Sequence, residues 1–298
     1  MNPSHFAREV AETMGLAVLS LREIVGQGEV NFVFVVGTTD GEVVVRFHRD
    51  PLDTDDYATE EWCMRRVGSA GVPVPEFVGR GVCEGKNFVV QRFVAGGNGD
   101  GSRSRELWRT LGGYARTINE LDLDGSAPDS LFPRFGRDLV KNWEDHIAYN
   151  LGELTPADPL IALGAYGRAD QDRLRGVFEG LADSVTRFGL THGDLVPKNV
   201  ILPEGGRPVV IDWGSASAGP VPFADFGRIF YDEANEGFDE SDVEAFAEGY
   251  GVSFRELRGT LEAIRLLGKI DVCRWARDRR PDRLEHYVAV AAEAVRVA

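Results

Sequence analysis

The sequence predicts an α+β fold with two lobes, in which a small antiparallel sheet precedes a larger, mostly helical part. The first third of the chain contains short β-branched and aromatic runs separated by Gly-containing turns. A Gly-rich stretch at residues 95–102 then marks a change in composition, and helix-like segments dominate after it. We therefore expect residues 1–95 to form an N-lobe and residues 96–298 to form a C-lobe.

The predicted N-lobe is a five-stranded sheet with one helix. Asp40-Gly41 lies between two β-rich runs, which is typical of a tight hairpin. A helix is predicted from about Asp53, and Pro73 and Pro75 require it to end before them. The predicted strands are residues 19–25, 31–36, 43–47, 77–82 and 87–94.

The Gly-rich stretch is predicted to be a linker or hinge without regular structure, because runs of Gly favour neither helix nor strand. The C-lobe beyond it should be helical, with a short sheet that ends at Asp212. The predicted helices are residues 103–120, 137–151, 168–187, 224–233, 239–250, 254–277 and 282–297.

Composition limits the class of protein. A chain of 298 residues with 43% apolar content can bury a sizeable core. No apolar run approaches the roughly 20 residues of a membrane helix, and the first residues lack a leader pattern, so the expected location is the cytoplasm. The three cysteines and five histidines show no zinc or redox spacing. The net charge of −15 argues against nucleic acid or a membrane as partner and favours a small cationic substrate.

The segment 190–213 has the spacing of a phosphoryl-transfer site. Kinases place a catalytic Asp five positions before an Asn, and a further Asp at the end of the next apolar strand. Asp194, Asn199 and Asp212 fit this order. Asp194 is the predicted general base for an attacking hydroxyl, while Asn199 and Asp212 offer the oxygen donors that magnesium prefers. His192-Gly-Asp194 alone is also ordinary turn chemistry. Its conjunction with Asn199 and Asp212 favours function.

The N-lobe carries two further candidate features. Gly26 and Gly28 are predicted to lie in a turn between strands that ends near Asn31, where backbone amides could approach phosphates, although Gly-x-Gly between strands is often only a tight turn. Arg46 is a cation inside an apolar strand, where an unpaired charge is costly. Phosphate oxygens or the carboxylates of Glu60 or Glu61 are its candidate partners, and exposure to solvent is the alternative.

From about residue 26 to residue 225, the chain resembles the aminoglycoside phosphotransferase and choline kinase-like family, which has the bilobal protein-kinase-like fold. The strongest part runs from His192-Gly-Asp194 through Asn199 to Asp212-Trp213. Residues 59–67 followed by 71–75 resemble the family's helix and Pro-containing segment, which implies that Glu60 pairs with Arg46. The resemblance implies transfer of phosphate from ATP, or alternatively GTP, to a small-molecule hydroxyl with Mg²⁺.

The resemblance also implies roles for individual residues. Gln91 resembles the gatekeeper beside the nucleotide base, whose edge would meet the backbone of Arg92 and Val94. His192 and Asp225 would support the catalytic loop. Two departures from the family are Arg46, where many kinases have Lys, and Gly219-Pro220 in place of Asp-Pro.

The substrate is less well defined by the sequence. Residues 142–146 resemble a segment of hygromycin-type kinases, and acids after the metal strand could bind amino groups of an aminocyclitol antibiotic. These acids are Asp232, Glu233 and Glu236, with Asp239 and Glu240 beyond them. A solvated helix face is the alternative. A metabolic kinase of choline, homoserine or a thiosugar, and a nucleotide-binding pseudokinase, remain as other hypotheses. A monomer or weak dimer is expected.

Overall fold

The computed structural model describes residues 2–25, 31–49, 56–102, 104–231 and 238–298. Its first half contains a single five-stranded antiparallel sheet in the order β1-β2-β3-β5-β4. The strands are β1 (Val18–Glu23), β2 (Asn31–Thr38), β3 (Gly41–His48), β4 (Phe77–Cys83) and β5 (Lys86–Arg92). The helices that accompany this sheet are α1 (Pro3–Thr13) and α2 (Asp56–Ser69).

The predicted hairpin between β2 and β3 is present. Thr38 pairs with Gly41, so that only Thr39 and Asp40 lie between the paired residues. The Thr38 hydroxyl donates to the Gly41 carbonyl at 2.6 Å, and Gly41 has a φ of 105°, which is open to glycine. This turn fixes the register that places Arg46 on β3 opposite Val33.

The sheet is covered by two helices, so the prediction of one N-lobe helix was wrong. Helix α1 begins at Pro3, after an Asn2 side chain that accepts from the Ser4 amide at 3.0 Å. It buries Phe6 and Val10 in the same apolar cluster as Phe47. The Asn-Pro start, followed by apolar residues one helical turn apart, is the sequence signal of this helix.

The C-lobe begins with the Gly-rich stretch. The prediction that this stretch has no regular structure was wrong. Residues Gly97–Asn98 form strand β6, which pairs with Leu202 and Ile201 of strand β8 (Val200–Leu202). A Cβ at Gly99 would lie 2.6 Å from the Pro197 carbonyl oxygen. Glycine therefore serves close backbone approach here, which composition alone cannot distinguish from flexibility.

The remaining elements form a mostly helical lobe with its own core. The helices are α3 (Arg105–Asn119), α4 (Leu139–Glu153), α5 (Pro159–Leu163), α6 (Gln171–Ser184), α7 (Phe223–Phe230), α8 (Glu240–Tyr250), α9 (Phe254–Arg279) and α10 (Leu284–Val297). The strands are β7 (Phe188–Thr191), β9 (Val209–Val210) and β10 (Ser217–Pro220), with β10 paired to β7 and β9 to β8. None of the helices in the described ranges is long and apolar enough to cross a membrane.

Most predicted C-lobe helices lie within a few residues of those observed. Helices α3 and α8 pack so closely that a Cβ at Gly112 would lie 1.9 Å from the Phe246 carbonyl oxygen. Helix α5 and strands β7 and β10 were not predicted, because each has only four or five residues and the strands contain Gly. Strands β7 to β10 nevertheless position the candidate site.

Candidate active site

The catalytic loop predicted from the sequence connects β7 to β8 and lies beside the end of β9. Val200 pairs with Val210 across the β8–β9 ladder, and the Ile211 amide donates to the Asn199 carbonyl at 3.0 Å. This register puts Asn199 and Asp212 at the same end of the two strands. Two residues that are 13 positions apart in sequence are thus brought together by a short hairpin.

Asp194 and Asn199 are in direct contact. The Asn199 Nδ2 donates to the backbone oxygen and to Oδ2 of Asp194, both at 2.8 Å. Asn199 is buried, and it terminates a single helical turn that starts at Pro197. The five-residue spacing recognised in the sequence therefore closes a loop in which the amide fixes the orientation of the carboxylate.

Two cations also contact Asp194, and neither was predicted from the sequence. Arg228 on α7 donates from Nε to Asp194 Oδ1 at 2.6 Å, and the Lys198 Nζ lies 3.5 Å from Oδ2. Burial opposes ionisation of Asp194, but the charge and hydrogen bond of Arg228, with the charge of Lys198, lower the pKa of the carboxyl below its ordinary value. The predicted base is therefore ionised at neutral pH.

His192 and Asp225 hold the backbone of the catalytic loop by hydrogen bonds. The buried His192 ring bonds through Nε2 to the Ile211 oxygen at 3.1 Å and accepts at Nδ1 from the Asp194 amide at 3.3 Å. Burial lowers the pKa of His192, so the neutral ring with its proton on Nε2 fits both contacts. Asp225, also buried, accepts from the Gly193 amide at 2.8 Å. Burial raises the pKa of Asp225 to about 6.

The cation on β3 has the partner that the sequence suggested. Arg46 forms an ion pair with Glu60 of α2, and the two side chains are 12% and 5% exposed. Arg46 Nη1 also lies 4.0 Å from Asp212 Oδ1. Glu61, the other candidate, faces away and bonds to Arg65 at 2.9 Å and Arg80 at 2.7 Å. The exposed-strand alternative for Arg46 does not apply.

Asn199 and Asp212 form a donor set that suits a magnesium ion. The Asn199 amide nitrogen is committed to Asp194, which leaves the side-chain oxygen as the group available to a cation. Asp212 has an αL backbone with φ of 62° and a side chain that is 55% exposed toward the cleft. Hard oxygen donors beside an accessible cleft are what Mg²⁺ requires, since it retains several waters and uses few protein ligands.

These residues line one cleft of about 520 Å³ between the N-lobe sheet and the catalytic loop. Apolar residues of the N-lobe sheet and of the C-lobe strands both line this cleft. The lining residues include Ile24, Asn31, Val33, Val44, Arg46, Pro75, Gln91, Arg92, Val94, Asn98, Asp100, Asp194, Lys198, Asn199, Ile201, Ile211 and Asp212. All the predicted nucleotide and metal residues that the structure describes, apart from Glu60 behind Arg46, therefore meet at one cavity.

The predicted base-binding edge has one constraint that the sequence did not reveal. The backbone amide of Arg92 donates to the Glu76 carbonyl at 2.8 Å, so at this residue the carbonyl, and not the amide, is the group open to a nucleotide base. The Gln91 amide donates to the Met64 sulfur at 3.2 Å, which holds this side chain at the back of the cleft. Asn31 accepts from the Tyr57 hydroxyl at 3.2 Å.

Some predicted residues lie outside the described residues, and others have structural roles. Gly26, Gly28, Asp232, Glu233 and Glu236 belong to the first group. Beyond them, the Asp239 side chain caps α8 by accepting from the Ser241 amide at 2.8 Å. Glu240 pairs with Arg258 at 3.1 Å. Helix capping and a surface ion pair therefore account for these two acids, as the solvated-face alternative proposed.

Comparisons with proteins of known structure identify the fold. An aminoglycoside 2'-phosphotransferase-IIIa, solved as its GDP complex, is 19% identical over 100% of this chain and 99% of that chain, with a TM-score of 0.66. Aminoglycoside phosphotransferase APH(4)-Ia is 20% identical over 97% of both chains, with a TM-score of 0.63. Choline kinase LicA from Streptococcus pneumoniae is 18% identical over 99% of this chain and 100% of that chain, with a TM-score of 0.60.

At these identities the structural likeness establishes the bilobal kinase-like fold and nothing finer. No curated protein matches the sequence. The sequence does match a family model, described as the phosphotransferase enzyme family, over residues 22–267. Since that range covers most of the chain, the protein belongs to the phosphotransferase enzyme family and is a phosphotransferase that acts on a hydroxyl group.

Proposed function

We propose that the protein transfers the γ-phosphate of ATP, or of GTP, to a hydroxyl of an aminoglycoside or aminocyclitol, with Asp194 as the base. The observation that carries this proposal is the meeting of Asp194, Asn199, Asp212 and Arg46 at one cleft. A metal bound at Asn199 and Asp212 would neutralise phosphate charge there. Arg46, held by Glu60, would contact phosphate oxygens.

The residues of the loop support the chemistry that this function requires. Asp194 is ionised and fixed by Asn199 and Arg228, so its carboxylate can orient an acceptor hydroxyl and receive its proton. Arg92 and Val94 line the cleft beside Gln91, which supports binding of a base edge to their backbone. We propose that the enzyme acts in the cytoplasm, where nucleoside triphosphates are abundant.

The substrate class is inferred from the charge of the chain and from the ligands of similar structures. The net charge of −15 favours a cationic acceptor. Solved structures of similar fold include complexes with spectinomycin, kanamycin or hygromycin B. A metabolic kinase of choline or homoserine type is the second candidate, supported by the likeness to a choline kinase.

The test is phosphorylation of a panel of aminoglycosides, aminocyclitols, macrolides, choline and homoserine, with ATP and GTP in parallel. Phosphorylation of one class by the native protein, reduced by orders of magnitude in Asp194→Ala, is the expected result. Asp282→Ala is the matched control, since Asp282 is an exposed carboxylate that pairs with Arg280 at the surface. Full activity of Asp194→Ala would overturn the assignment of the base. Nucleotide binding without transfer to any acceptor or to water would favour a pseudokinase.

A further inference from the structure

Lys198 occupies a position in the cleft that the roles described so far do not explain. Its side chain lines the cavity together with Asp194, Asn199 and Asp212. Its Nζ lies 3.5 Å from Asp194 Oδ2, and the side chain is 39% exposed. A cation that both touches the predicted base and faces the nucleotide cleft is near the path of the transferred group.

The main chain under Lys198 is rigidly placed by the linker between the lobes. The Asn98 side chain on β6 donates to the Lys198 carbonyl at 2.7 Å. Gly99 approaches the neighbouring Pro197 carbonyl so closely that a Cβ would lie 2.6 Å from that oxygen. The lysine stem therefore starts from a fixed platform at the floor of the cleft, while its ammonium can swing on a four-carbon stem.

The two arginines that contact the acids of the site are each held by a carboxylate. Arg46 is paired with Glu60, with Asp212 4.0 Å away. Arg228 donates to Asp194 at 2.6 Å. Asp194 keeps Arg228 and Asn199 as partners if Lys198 moves away, so the loss of the 3.5 Å contact leaves the carboxylate held in place.

We infer that Lys198 is a catalytic residue whose ammonium contacts the phosphoryl group as it is transferred. This inference rests on the proposed kinase function. The acceptor oxygen forms a bond to Pγ while the bond from Pγ to the bridging oxygen breaks, and that electron pair remains on the nucleoside diphosphate. The acceptor proton passes to Asp194. Negative charge develops on oxygens around phosphorus, where a point charge stabilises the transition state more than the ground state.

The first experiment compares transition-state and product binding, and it needs no knowledge of the acceptor. Affinity for ADP with magnesium is measured by calorimetry with and without aluminium fluoride, which mimics the transferred phosphoryl group. Lys198→Met is expected to weaken the aluminium fluoride complex at least about 10-fold relative to the native protein, and to change ADP affinity less than about 3-fold. Lys198→Arg should restore part of the loss, because it keeps the charge.

A second measurement is the slow transfer of phosphate to water, followed as hydrolysis of the nucleotide. Lys198→Met should lower kcat by at least about 10-fold while leaving the nucleotide KM within a factor of about 3. Lys86→Met is the control, because Lys86 opens β5 at the far end from Gln91 and contacts the Arg49 carbonyl. Equal aluminium fluoride affinity and equal kcat in Lys198→Met and native protein would overturn the inference. A native protein that neither binds nor hydrolyses nucleotide would instead overturn the proposed function.

Discussion

Burial decides what single residues contribute at this site, and the Arg46–Glu60 pair is the clearest example. Both side chains are largely removed from water, so each charge depends on the other for its stabilisation. The stacking of Arg46 over the Tyr57 ring, with its guanidinium carbon 5.8 Å from the ring centre, adds an apolar partner. Glu60 therefore stabilises the folded site and also orients the Arg46 guanidinium.

We expect Glu60→Ala to remove the buried partner of Arg46, leaving it with Asp212 at 4.0 Å, and to lower the free energy of unfolding by about 3–5 kcal/mol. The nucleotide KM should rise as well, because the guanidinium loses the contact that orients it. Urea denaturation and steady-state kinetics measure both effects. Glu61→Ala is the control, since Glu61 bonds at the surface to Arg65 and Arg80, and about 1 kcal/mol or less is expected. Equal losses in the two variants would contradict this account.

Asp225 has the opposite electrostatic situation, because burial penalises its charge. Its pKa is raised to about 6 in the folded protein, against about 3.9 for an exposed carboxyl. The folded state thus binds this proton more tightly than the unfolded state does. The corresponding stability is fully present below about pH 4 and is lost as the pH rises through about 6.

Asp225→Asn mimics the protonated carboxyl and can still accept from the Gly193 amide. We expect its Tm, relative to that of the native protein, to increase as the pH rises from about 4.5 to about 6.5 and to level off between there and pH 7.5, since the native carboxyl titrates near 6. Scanning fluorimetry across this range provides the measurement. In Asp282→Asn, where the native carboxyl is exposed and its pKa is lowered by Arg280, the difference in Tm should not change in this window. A constant difference for Asp225→Asn would contradict the assigned titration.

The residues that sequence reasoning found and those that it missed differ in their linear signal. Asp194, Asn199 and Asp212 are recognisable because their spacing follows from one loop and one hairpin. Arg228 lies 34 positions from Asp194 and contacts it only after α7 packs beside the loop. Lys198 lies inside the motif, but its position is not one of the three whose spacing identifies the motif. Chain folding, rather than local sequence, brings these cations to the carboxylate.

At the scale of elements, helix α7 and strand β6 hold the catalytic loop from two sides. Asp225 and Arg228 are three residues apart on α7, so they share one face of the helix, and they bond to Gly193 and Asp194 respectively. Strand β6 holds the other side by pairing with β8. Two short elements, α7 and β6, thus determine the geometry of the catalytic loop.

Two neighbouring glycines of the linker should respond differently to the same substitution. A Cβ at Gly99 would lie 2.6 Å from the Pro197 oxygen, whereas one at Gly97 would meet nothing within 4 Å. We expect Gly99→Ala to lower both Tm and kcat, because the turn that carries Lys198 and Asn199 must shift. Gly97→Ala should leave both within error or raise Tm slightly. Similar behaviour of the two variants in thermal melts and kinetics would contradict the close-approach argument.

The elements also show where prediction from sequence reached its limit. Long helices such as α3 and α9 and the β2–β3 hairpin were predicted because their patterns extend over many residues or include a strong turn. The strands β6, β7 and β10 have two to four residues and contain Gly, so tertiary pairing rather than propensity forms them. A Gly-rich sequence looks the same whether its role is flexibility or close packing.

At the scale of the whole molecule, the cleft takes its walls from both halves of the chain. Val33 and Arg46 come from the sheet, while Asn199, Ile211 and Asp212 come from the C-lobe. A ligand bound there contacts both lobes at once. It should therefore stabilise the folded protein as a unit, by about 2.7 kcal/mol when its concentration is 100 times its dissociation constant.

We expect ADP with magnesium to raise the Tm of the native protein, and Asp212→Asn to lose most of the part of this shift that depends on magnesium. Asn tolerates the αL backbone of Asp212, so the variant without ligand should melt near the native Tm. Thermal melts with ADP alone, and with ADP plus magnesium or EDTA, separate the two contributions. An unchanged magnesium-dependent shift in Asp212→Asn would contradict the predicted metal ligand.

Trp213 gives the site an optical consequence. This indole follows Asp212 directly, is 1% exposed, and packs against His192 with their rings 4.5 Å apart. A cation bound at Asp212 would change the electric field at the neighbouring indole. We therefore expect part of the intrinsic emission, to which the chain's five tryptophans contribute, to report occupancy of the site. Stopped-flow fluorescence of the native protein and of Trp213→Phe would isolate this signal and time nucleotide arrival without an attached dye.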